Sequence, residues 1–380
     1  KSLHALYKDG KTFSVSEIEN FRKCAYKHFI DYGLKPRQVK SYKVDALDYG
    51  NIAHKTLESF VKKDVSIDDL DEFNQDFDQA FYQGVEEYIE EYKSEDARNS
   101  FFLDAFKKGL GVSAYEIKNK LNKSQPDRIL TEVRYGKGGL FPEVSYKVDG
   151  KTYAMSGIID RADEFYINGK NYYRIIDYKT NNTSFDLSKV YNGFSLQLLV
   201  YLYAVLSKNK DTSIIGGFYN RLNHKYLNIL DGDLNKVYKE VHLLDGLVMD
   251  DLEALSQSDQ TFKANAKENS EIIKFSGRSY DYNKKSNVYN KEILGFLIER
   301  VNEFIIDSIR KINAGKIEAH PVKETNSTAC DYCEYRHICK FNNIDFNYVP
   351  SISASEIKAM WEAENEWYSI IFWTRPGYKS

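Results

Sequence analysis

Two carboxylates and one lysine stand at the ends of two apolar stretches, at a spacing that suits metal-assisted chemistry. Asp160 and Asp177 each follow a pair of isoleucines, and Lys179 comes two residues after Asp177. Side chains alternate faces along a strand, so Asp177 and Lys179 would share a face while Tyr178 points away. Carboxylates are ligands for Mg²⁺ or Mn²⁺, and a nearby ammonium suits a reaction that develops negative charge on a phosphorane. The pattern favours phosphodiester hydrolysis.

A predicted β-hairpin positions these residues. Tyr153–Ile159 and Tyr172–Tyr178 are rich in aromatic and β-branched residues, and Asn168-Gly169 between them is a turn signal. A hairpin would bring the two acidic ends together. An Asp-x-Lys pair on a strand is most often an exposed pair of little consequence. Here the preceding isoleucines indicate buried strands, and sites are commonly built where such strands end.

Six short motifs occur in a fixed order along the chain. They are Gly50-x-x-x-His54, Gly157 to Asp163, Asp177 to Asn181, Gln197 to Tyr201, Gly217-Phe-Tyr219 and Gly315-x-Ile317-x-x-x-Pro321. This order resembles the PD-(D/E)XK nucleases of the RecB type, and most closely the C-terminal nuclease domain of AddB subunits of AddAB helicase–nucleases. The resemblance covers about Phe13 to Asn343. It implies an α/β fold, with a restriction-endonuclease-like mixed sheet flanked by helices and with helical additions.

The resemblance also implies roles for the matching residues. The implied ligands of Mg²⁺ or Mn²⁺ are His54, Asp160, Asp177 and the carbonyl of Tyr178. The implied catalytic residues are Lys179, Asp177, Asp160, Gln197 and Tyr201, with Glu132 and Arg161 as possible support. Two simpler interpretations stay open from the residues alone. An isolated helical histidine such as His54 commonly makes a local hydrogen bond, and Gln197 and Tyr201, four residues apart, suit ordinary helix packing.

Four cysteines form a remote single residue and a close triplet. They are Cys24, Cys330, Cys333 and Cys339, and no signal-like apolar segment precedes the first. A metal or cluster site is therefore favoured over disulfides. The resemblance implies a [4Fe-4S] cluster, and Zn²⁺ is the alternative, with His337 as a further candidate ligand. Joining residues about 300 positions apart would stabilise the fold by at most about 5–6 kcal/mol in the chain-entropy model of a crosslink.

Charge is distributed very unevenly along the chain. The net charge is −3, yet residues 64–96 hold thirteen Asp or Glu and one Lys, so the remainder is basic. Apolar residues recur every four positions in this acidic stretch, at Phe73, Phe77, Phe81 and Val85. This period predicts an amphipathic helix whose carboxylates face water, away from DNA. The alternative is that the acidic surface mimics DNA or repels a strand.

Basic and aromatic residues alternate shortly after Cys24. The segments are Tyr26-Lys27-His28, Lys35-Pro36-Arg37 and Lys40-Ser41-Tyr42-Lys43. Such a mixture suits single-stranded DNA, with phosphates on cations and bases on aromatic rings. A solvated surface loop is the other interpretation.

The domain prediction is one nuclease domain at residues 1–350, with an acidic helical insertion at about 64–127 and a cysteine module formed by Cys24 and residues 330–339. Residues 351–380 form a tail that holds all three tryptophans, Trp361, Trp367 and Trp373. The tail is expected to dock on this domain, to hold another subunit, or to be an altered terminus. Lys1 in place of methionine suggests a fragment of a longer protein, and no G-x-x-x-x-G-K-[ST] loop for ATP occurs.

The resemblance implies a bacterial, cytoplasmic, Mg²⁺-dependent DNA exonuclease domain acting at the nucleoid in double-strand-break processing. Its expected partners are single-stranded DNA or an unwound duplex end, and an AddA-type helicase–nuclease subunit. No apolar run approaches the ~18 residues of a membrane span, so membrane classes are set aside. The alternatives are a stand-alone or CRISPR-associated iron–sulfur nuclease and a non-catalytic DNA-end-binding module.

Overall fold

The computed structural model describes most of the chain. The described residues are 11–36, 46–89, 97–181, 183–222, 242–264, 270–275, 287–324, 327–342 and 344–363. The predicted basic segment Lys40–Lys43 and the tryptophans Trp367 and Trp373 lie outside them. Among the helices of these ranges, none combines the length and the apolar composition that crossing a bilayer requires.

Along the described residues six helices precede the first strand, and five strands then follow one another before the next helix. The helices are α1 (Val15–Lys23), α2 (Ala25–His28), a π-helix (Phe29–Leu34), α3 (Ala46–Phe60), α4 (Leu70–Ile89), α5 (Ala97–Ser124), α6 (Leu187–Tyr191), α7 (Gln197–Leu206), α8 (Leu252–Ser258), α9 (Lys291–Asn313) and α10 (Arg336–Cys339). The strands are β1 (Arg128–Tyr135), β2 (Val144–Val148), β3 (Lys151–Met155), β4 (Gly157–Ile167), β5 (Lys170–Lys179), β6 (Thr212–Arg221), β7 (Asp245–Met249), β8 (Val288–Tyr289), β9 (Val322–Lys323) and β10 (Asn347–Tyr348).

A six-stranded mixed sheet is the centre of the fold, in the order β1-β4-β5-β6-β7-β8. A hairpin around the Asn168-Gly169 turn is confirmed as the antiparallel pair β4–β5. Its first strand is not the predicted Tyr153–Ile159, however, because residues 151–155 form β3, which pairs with β2, and β4 begins only at Gly157. The turn residues Asn168 and Gly169 have φ angles of 49° and 81°, the left-handed values that a two-residue hairpin turn requires. β6 lies parallel to β5 after a crossover through α6 and α7. The site-bearing strands β4 and β5 therefore lie inside the sheet, with neighbours on both edges.

Each face of the sheet has its own apolar core. One core joins Ile175 of β5 to α1, α7 and α9, and the other joins Ile176 and Tyr178 of β5 to α3, α4 and α5. Neighbouring residues of β5 thus enter opposite cores, as the strand period predicts. α7 is buried on nearly all sides because its sequence is almost entirely apolar, which fixes this helix against the sheet.

The acidic stretch forms the helix predicted for it. Phe73, Phe77 and Phe81 of α4 are buried in the second core, while the acidic side chains lie on the outer side. α5 packs beside α4 and returns the chain to β1. The exposed carboxylates keep their water because the phenylalanines, together with Ala80 and Val85, supply the packing face.

The described part of the tail packs against the domain. Residues 354–363 are helical, and their start is a capping box: the Ser353 N–H donates to Glu356 Oε2 (2.7 Å), and the Glu356 N–H donates to Ser353 Oγ (3.2 Å). Ile357 is fully buried in the first core, and Trp361 packs at its edge. These contacts agree with a tail that docks on its own domain.

Candidate active site

The hairpin register brings the two acidic strand ends together. Arg161 of β4 lies opposite Ile176 of β5, so one step outward from the turn Asp160 and Asp177 become neighbours. The side chain of Asp160 also accepts a hydrogen bond of 2.7 Å from the backbone N–H of Tyr178 to its Oδ2 atom. This bond ties the end of β4 to the residue between Asp177 and Lys179. The two carboxylates therefore have fixed relative positions.

The ammonium of Lys179 lies between a carboxylate and an amide. Its Nζ is 2.6 Å from Asp177 Oδ2 and donates to Gln197 Oε1 at 2.9 Å. The Gln197 amide in turn donates to the hydroxyl of Tyr201 at 2.8 Å. The aromatic ring of Tyr219 lies 5.3 Å from the same ammonium. The structure thus brings together four of the residues singled out from the sequence, Asp177, Lys179, Gln197 and Tyr201.

His54 and Glu132 approach Asp160 from two other elements. His54 lies on α3, with its Nδ1 3.4 Å from Asp160 Oδ1. Glu132 lies on β1, and one potential ligand atom from each of the three residues falls within 4.8 Å of the others. Glu132 has a φ angle of 49°, a conformation that costs a non-glycine residue about 1–3 kcal/mol and is concentrated at functional sites. A strained glutamate beside Asp160 is thus part of the cluster.

The electrostatics of this cluster are dominated by negative charge. Burial, and after it the charge of Asp160, raise the pKa of Asp177 to about 7. The same two causes raise the pKa of Glu132. Burial opposes the charged form of His54, but the hydrogen bond to Asp160 and the nearby carboxylates outweigh it and raise the pKa of His54. The three carboxylates Asp160, Asp177 and Glu132 therefore lie near the His54 imidazole, and the Lys179 ammonium pairs with one of them, Asp177.

The donor set fits a divalent cation. Asp177 is buried, and the Lys179 ammonium lies 2.6 Å from its Oδ2 atom. Asp160 adds negative charge beside this carboxylate, so a further cation would offset part of the cost of burying it. Carboxylate oxygens with one imidazole are suitable ligands for Mg²⁺ or Mn²⁺.

Arg161, considered as possible support, points into the other core. Its guanidinium donates to both oxygens of Asp163, at 2.6 and 2.7 Å, and Arg174 donates to Asp163 from β5 at 2.7 Å. All three side chains are buried. Burial opposes the charge of Asp163, yet the two guanidinium groups outweigh it and lower its pKa. The Arg161 side chain therefore belongs to this buried ion network, where it also interacts with the side chain of Tyr178.

The four cysteines converge, although the first is far from the others in sequence. They line one pocket, whose other lining residues are Tyr26, Lys27, Ala319, Pro321, Ala329, Arg336 and Phe341. Burial raises the pKa of the Cys24 thiol, and the nearby thiols of Cys333 and Cys339 raise it further. Four thiols around one pocket are a suitable donor set for a metal or an iron–sulfur cluster. The alternative ligand His337 is exposed and is not among the described lining residues.

In the segment Tyr26-Lys27-His28, which is predicted to contact DNA, two residues are partly exposed and one is buried. Lys27 pairs with Asp31 at 3.3 Å and remains partly exposed beside the cysteine pocket. His28 is buried, with its Nε2 3.0 Å from Glu17 Oε1, so it does not face solvent. Lys27 and Tyr26 keep the surface position that the prediction needs, and His28 does not.

Some important side chains were not singled out from the sequence. The ring of Tyr219 had no assigned role, and Asp163 and Arg174 were not recognised as a buried pair. A signal for that pair existed, because counting outward from the Asn168-Gly169 turn places Asp163 directly opposite Arg174. No comparable local signal marks the contact of Tyr219, which depends on the parallel register of β6.

Known proteins are similar in sequence to this chain over most of its length. The model of the PD-(D/E)XK nuclease superfamily matches residues 12–340. A Clostridium perfringens protein named as an ATP-dependent helicase/deoxyribonuclease subunit is 31% identical over 95% of this chain and 33% of that protein. Proteins of the same name from Thermoanaerobacter sp. (strain X514) and Clostridioides difficile are 30% and 29% identical, over 94% and 90% of this chain. The chain spans about a third of the length of these relatives.

Proposed function

This chain belongs to the PD-(D/E)XK nuclease superfamily, and from that premise we propose that it is the metal-dependent DNA exonuclease domain of an AddB-type helicase–nuclease subunit. One observation carries the proposal: the Lys179 ammonium bridges Asp177 and Gln197 beside the His54–Asp160 pair. The relatives named as helicase/deoxyribonuclease subunits support the biological setting. In that setting the domain degrades DNA during double-strand-break processing.

Mg²⁺ or Mn²⁺ is the proposed cofactor of the acidic cluster. Asp160, Asp177, His54 and the carbonyl of Tyr178 would hold it, with Glu132 as an additional carboxylate. When bound, the cation supplies a more acidic water and a positive charge near the phosphate. The raised pKa of Asp177 supports this assignment, because burial and the charge of Asp160 outweigh the opposing effect of Lys179.

Lys179 is the proposed catalytic residue of the chain itself. Its ammonium is already fixed by Asp177 and Gln197, so little reorganisation is needed when negative charge develops on a phosphate beside it. Tyr201 holds the Gln197 amide in the orientation that presents Oε1 to Lys179. Gln197 and Tyr201 therefore act by keeping the lysine in place.

A [4Fe-4S] cluster is the proposed occupant of the cysteine pocket, and Zn²⁺ held by the same four thiols is the alternative. The convergence of Cys24 with the terminal triplet supports either one. The exposed position of His337 favours an all-cysteine donor set. We expect the bound group to act as a staple that joins the two ends of the domain.

DNA and an AddA-type subunit are the proposed partners, in the bacterial cytoplasm. A single strand or an unwound duplex end would reach the site from the motor, and this chain would supply the cutting step only. The partly exposed Lys27 and Tyr26, beside the cysteine pocket, are candidates to contact the strand.

The nuclease proposal is tested by Mg²⁺-dependent degradation of linear single-stranded DNA by anaerobically purified protein. Lys179→Ala and Asp177→Ala, matched to wild type in cofactor content, should each lose at least about a thousandfold in rate. Lys170→Ala is the control, since Lys170 is exposed at the other end of the same strand. Cleavage that persists in both site variants would contradict the assignment. DNA binding without cleavage by wild type, even with an AddA-type partner, would favour the non-catalytic module.

The cysteine proposal is tested by iron, sulfide and zinc analysis of the same preparation. Iron and sulfide in equal amounts support the cluster, whereas zinc alone supports the alternative. Cys333→Ala should lower the free energy of unfolding by at most about 5–6 kcal/mol, the upper bound for the crosslink. It should also weaken DNA binding. Normal folding and normal activity in Cys333→Ala would contradict a structural staple.

A further inference from the structure

Helix α1 holds the segment that leads into α7 by two hydrogen bonds from one arginine. Arg22 Nε donates to the carbonyl of Gly193 at 2.6 Å, and its Nη2 donates to the carbonyl of Asn192 at 2.9 Å. The guanidinium also stacks on Phe304 of α9, 4.0 Å from the ring centre. The Arg22 guanidinium is thus fixed by the backbone carbonyls of Asn192 and Gly193 and by the ring of Phe304.

The backbone at Gly193 is shaped for this approach. Gly193 has a φ angle of 80°, and a Cβ atom there would come within 2.7 Å of Arg22 Nε and of the Phe304 ring. A side chain at this position would therefore displace the arginine. The glycine and the arginine form one close contact between α1 and the chain ahead of α7.

A second residue of α1 caps the start of α7. Glu19 Oε1 accepts hydrogen bonds from the backbone N–H groups of Leu196 (2.7 Å) and Gln197 (3.3 Å). The N-cap residue Leu196 makes no side-chain cap of its own, because leucine has no acceptor. A carboxylate from another helix thus satisfies donors that the N-terminus of α7 leaves open.

The capped residue also contacts the active site. Gln197 is the first residue of α7, and its side-chain oxygen accepts the hydrogen bond from Lys179. Glu19 therefore holds the backbone of the residue that holds the lysine. The apolar side of α1, with Val15, Ile18 and Phe21 in the first core, gives Glu19 a rigid base.

We propose that Glu19 is a positioning residue for the nuclease reaction, acting with Arg22 to fix residues 192–197 and so to place Gln197 against Lys179. This inference rests on the proposed nuclease function. Among the described residues the hydrogen bonds of Glu19 go to the backbone of Leu196 and Gln197, and its carboxylate also attracts the Lys179 ammonium electrostatically. The hydrogen-bonded link from Glu19 to the lysine is the one through Gln197. A displacement of about 1 Å at a positioned group can cost up to about a hundredfold in rate.

The kinetic test compares Glu19→Ala, Gln197→Ala and the double variant on linear single-stranded DNA. Glu19→Ala should lower kcat by about tenfold to a hundredfold and leave KM and DNA binding unchanged. The double variant should lose no more than Gln197→Ala alone, because both changes remove the same contact. Glu19→Gln retains an acceptor oxygen and should remain within about threefold of wild type. Glu303→Gln, which removes an exposed carboxylate of α9, is the matched control.

Two kinetic results would overturn the proposal. The first is a normal kcat for Glu19→Ala at a temperature well below its Tm, which would leave Glu19 as a helix cap only. The second is a double variant whose loss equals the product of the two single losses, which would separate Glu19 from Gln197.

A measurement independent of activity covers the case in which the nuclease function itself fails. Amide hydrogen exchange in the folded protein should accelerate at Leu196 and Gln197 in Glu19→Ala and remain slow in Glu19→Gln and Glu303→Gln. Unchanged exchange at these two amides would refute the positioning role whatever the enzyme does. A different outcome would separate the two proposals. Faster amide exchange in Glu19→Ala, together with equal DNA cleavage rates for wild type and Lys179→Ala, would refute the proposed nuclease site and still support the hydrogen bonds of Glu19 to Leu196 and Gln197.

Discussion

The β4–β5 hairpin carries one charge cluster on each face, and the two clusters differ in how fully cationic side chains neutralise their buried aspartates. On the face toward α5, Asp163 is paired with Arg161 and Arg174, and its pKa is lowered. At the end of the hairpin, Asp177 lies near Asp160, and its pKa is raised to about 7. Both aspartates are almost fully buried, at 0% and 1% exposure. Burial alone therefore does not distinguish structural from functional carboxylates, whereas the supply of partners does.

The physical difference lies in charge balance. Asp163 has two guanidinium partners with direct hydrogen bonds, which offset the cost of burial and leave nothing for a ligand to add. The acidic cluster combines Asp177, Asp160 and Glu132, and the cationic groups that face it among the described residues are Lys179 and His54, with Lys55 also acting on Glu132. A cation that enters there relieves repulsion already present in the folded protein. The first cluster joins the two strands of the hairpin, and the second retains the repulsion that the proposed cation would relieve.

The largest effect is expected for Asp163→Asn, which breaks the satisfied cluster. Two buried guanidinium groups would lose their carboxylate, at a cost of about 3–5 kcal/mol. The midpoint of urea unfolding should fall accordingly, while the protein that remains folded keeps its metal affinity. Unchanged stability would show that the ion network contributes no more than a surface pair.

His54→Ala weakens the other cluster without removing a carboxylate. We expect the Mg²⁺ concentration for half-maximal cleavage to rise by at least about tenfold, since a ligand or its immediate partner is lost. Thermal stability should change little, because His54 is partly exposed. A lower kcat at saturating Mg²⁺ with an unchanged metal requirement would show that His54 does not contribute to the metal site.

Asp177→Asn should stabilise the protein when divalent cations are absent. The folded-state pKa of about 7 lies above the ordinary value of 3.8, so the charged carboxylate destabilises the fold increasingly as the pH rises from about 4 to 7. At pH 8 the Tm of the variant should exceed that of wild type by about 2–4 °C, a difference of order 1 kcal/mol. This difference in Tm between the variant and wild type should become smaller as the pH falls toward 5. A lower Tm for the variant at pH 8 would mean that Lys179 compensates Asp177 fully.

The smallest effect is expected for Asp149→Asn, the control for both clusters. Asp149 pairs with Arg310 at 3.3 Å, and both side chains are more than half exposed. Exposed pairs contribute about 0–1 kcal/mol, so unfolding and metal dependence should remain within about 0.5 kcal/mol of wild type. A larger change would indicate that charge substitution itself, rather than burial and pairing, produces the effects above.

Local sequence signals were sufficient for the turn of the hairpin and for its acidic end, but not for the start of β4, which the sequence pattern placed at Tyr153. The period of two placed Asp177 and Lys179 on one side of the strand, and the Asn168-Gly169 turn has the conformation expected of it. The four-residue spacing of Gln197 and Tyr201 indicates one helix face, and the structure shows a hydrogen bond between their side chains. Each of these predictions depends on residues within one element or on two elements joined by a short turn.

The remaining features depend on contacts between distant parts of the chain. Glu19 reaches α7 across 177 residues, and no local pattern distinguishes it from Glu17, which pairs with His28 instead. The left-handed conformation of Glu132 arises where β1 meets β4, because an isolated glutamate would avoid it. Predicting the direction of the Arg161 side chain would require knowing which core each face of β4 contacts. Tertiary packing decides such features, and no local pattern in the sequence reports it.

The most direct test of the comparison is a calorimetric titration of Mn²⁺ into wild type, Asp177→Asn and Asp149→Asn. The account predicts that wild type and Asp149→Asn bind with the same affinity and that Asp177→Asn binds at least about tenfold more weakly, because it has lost a ligand and the repulsion that a cation relieves. Equal Mn²⁺ affinity in all three proteins would contradict the assignment of the acidic hairpin end as the metal site.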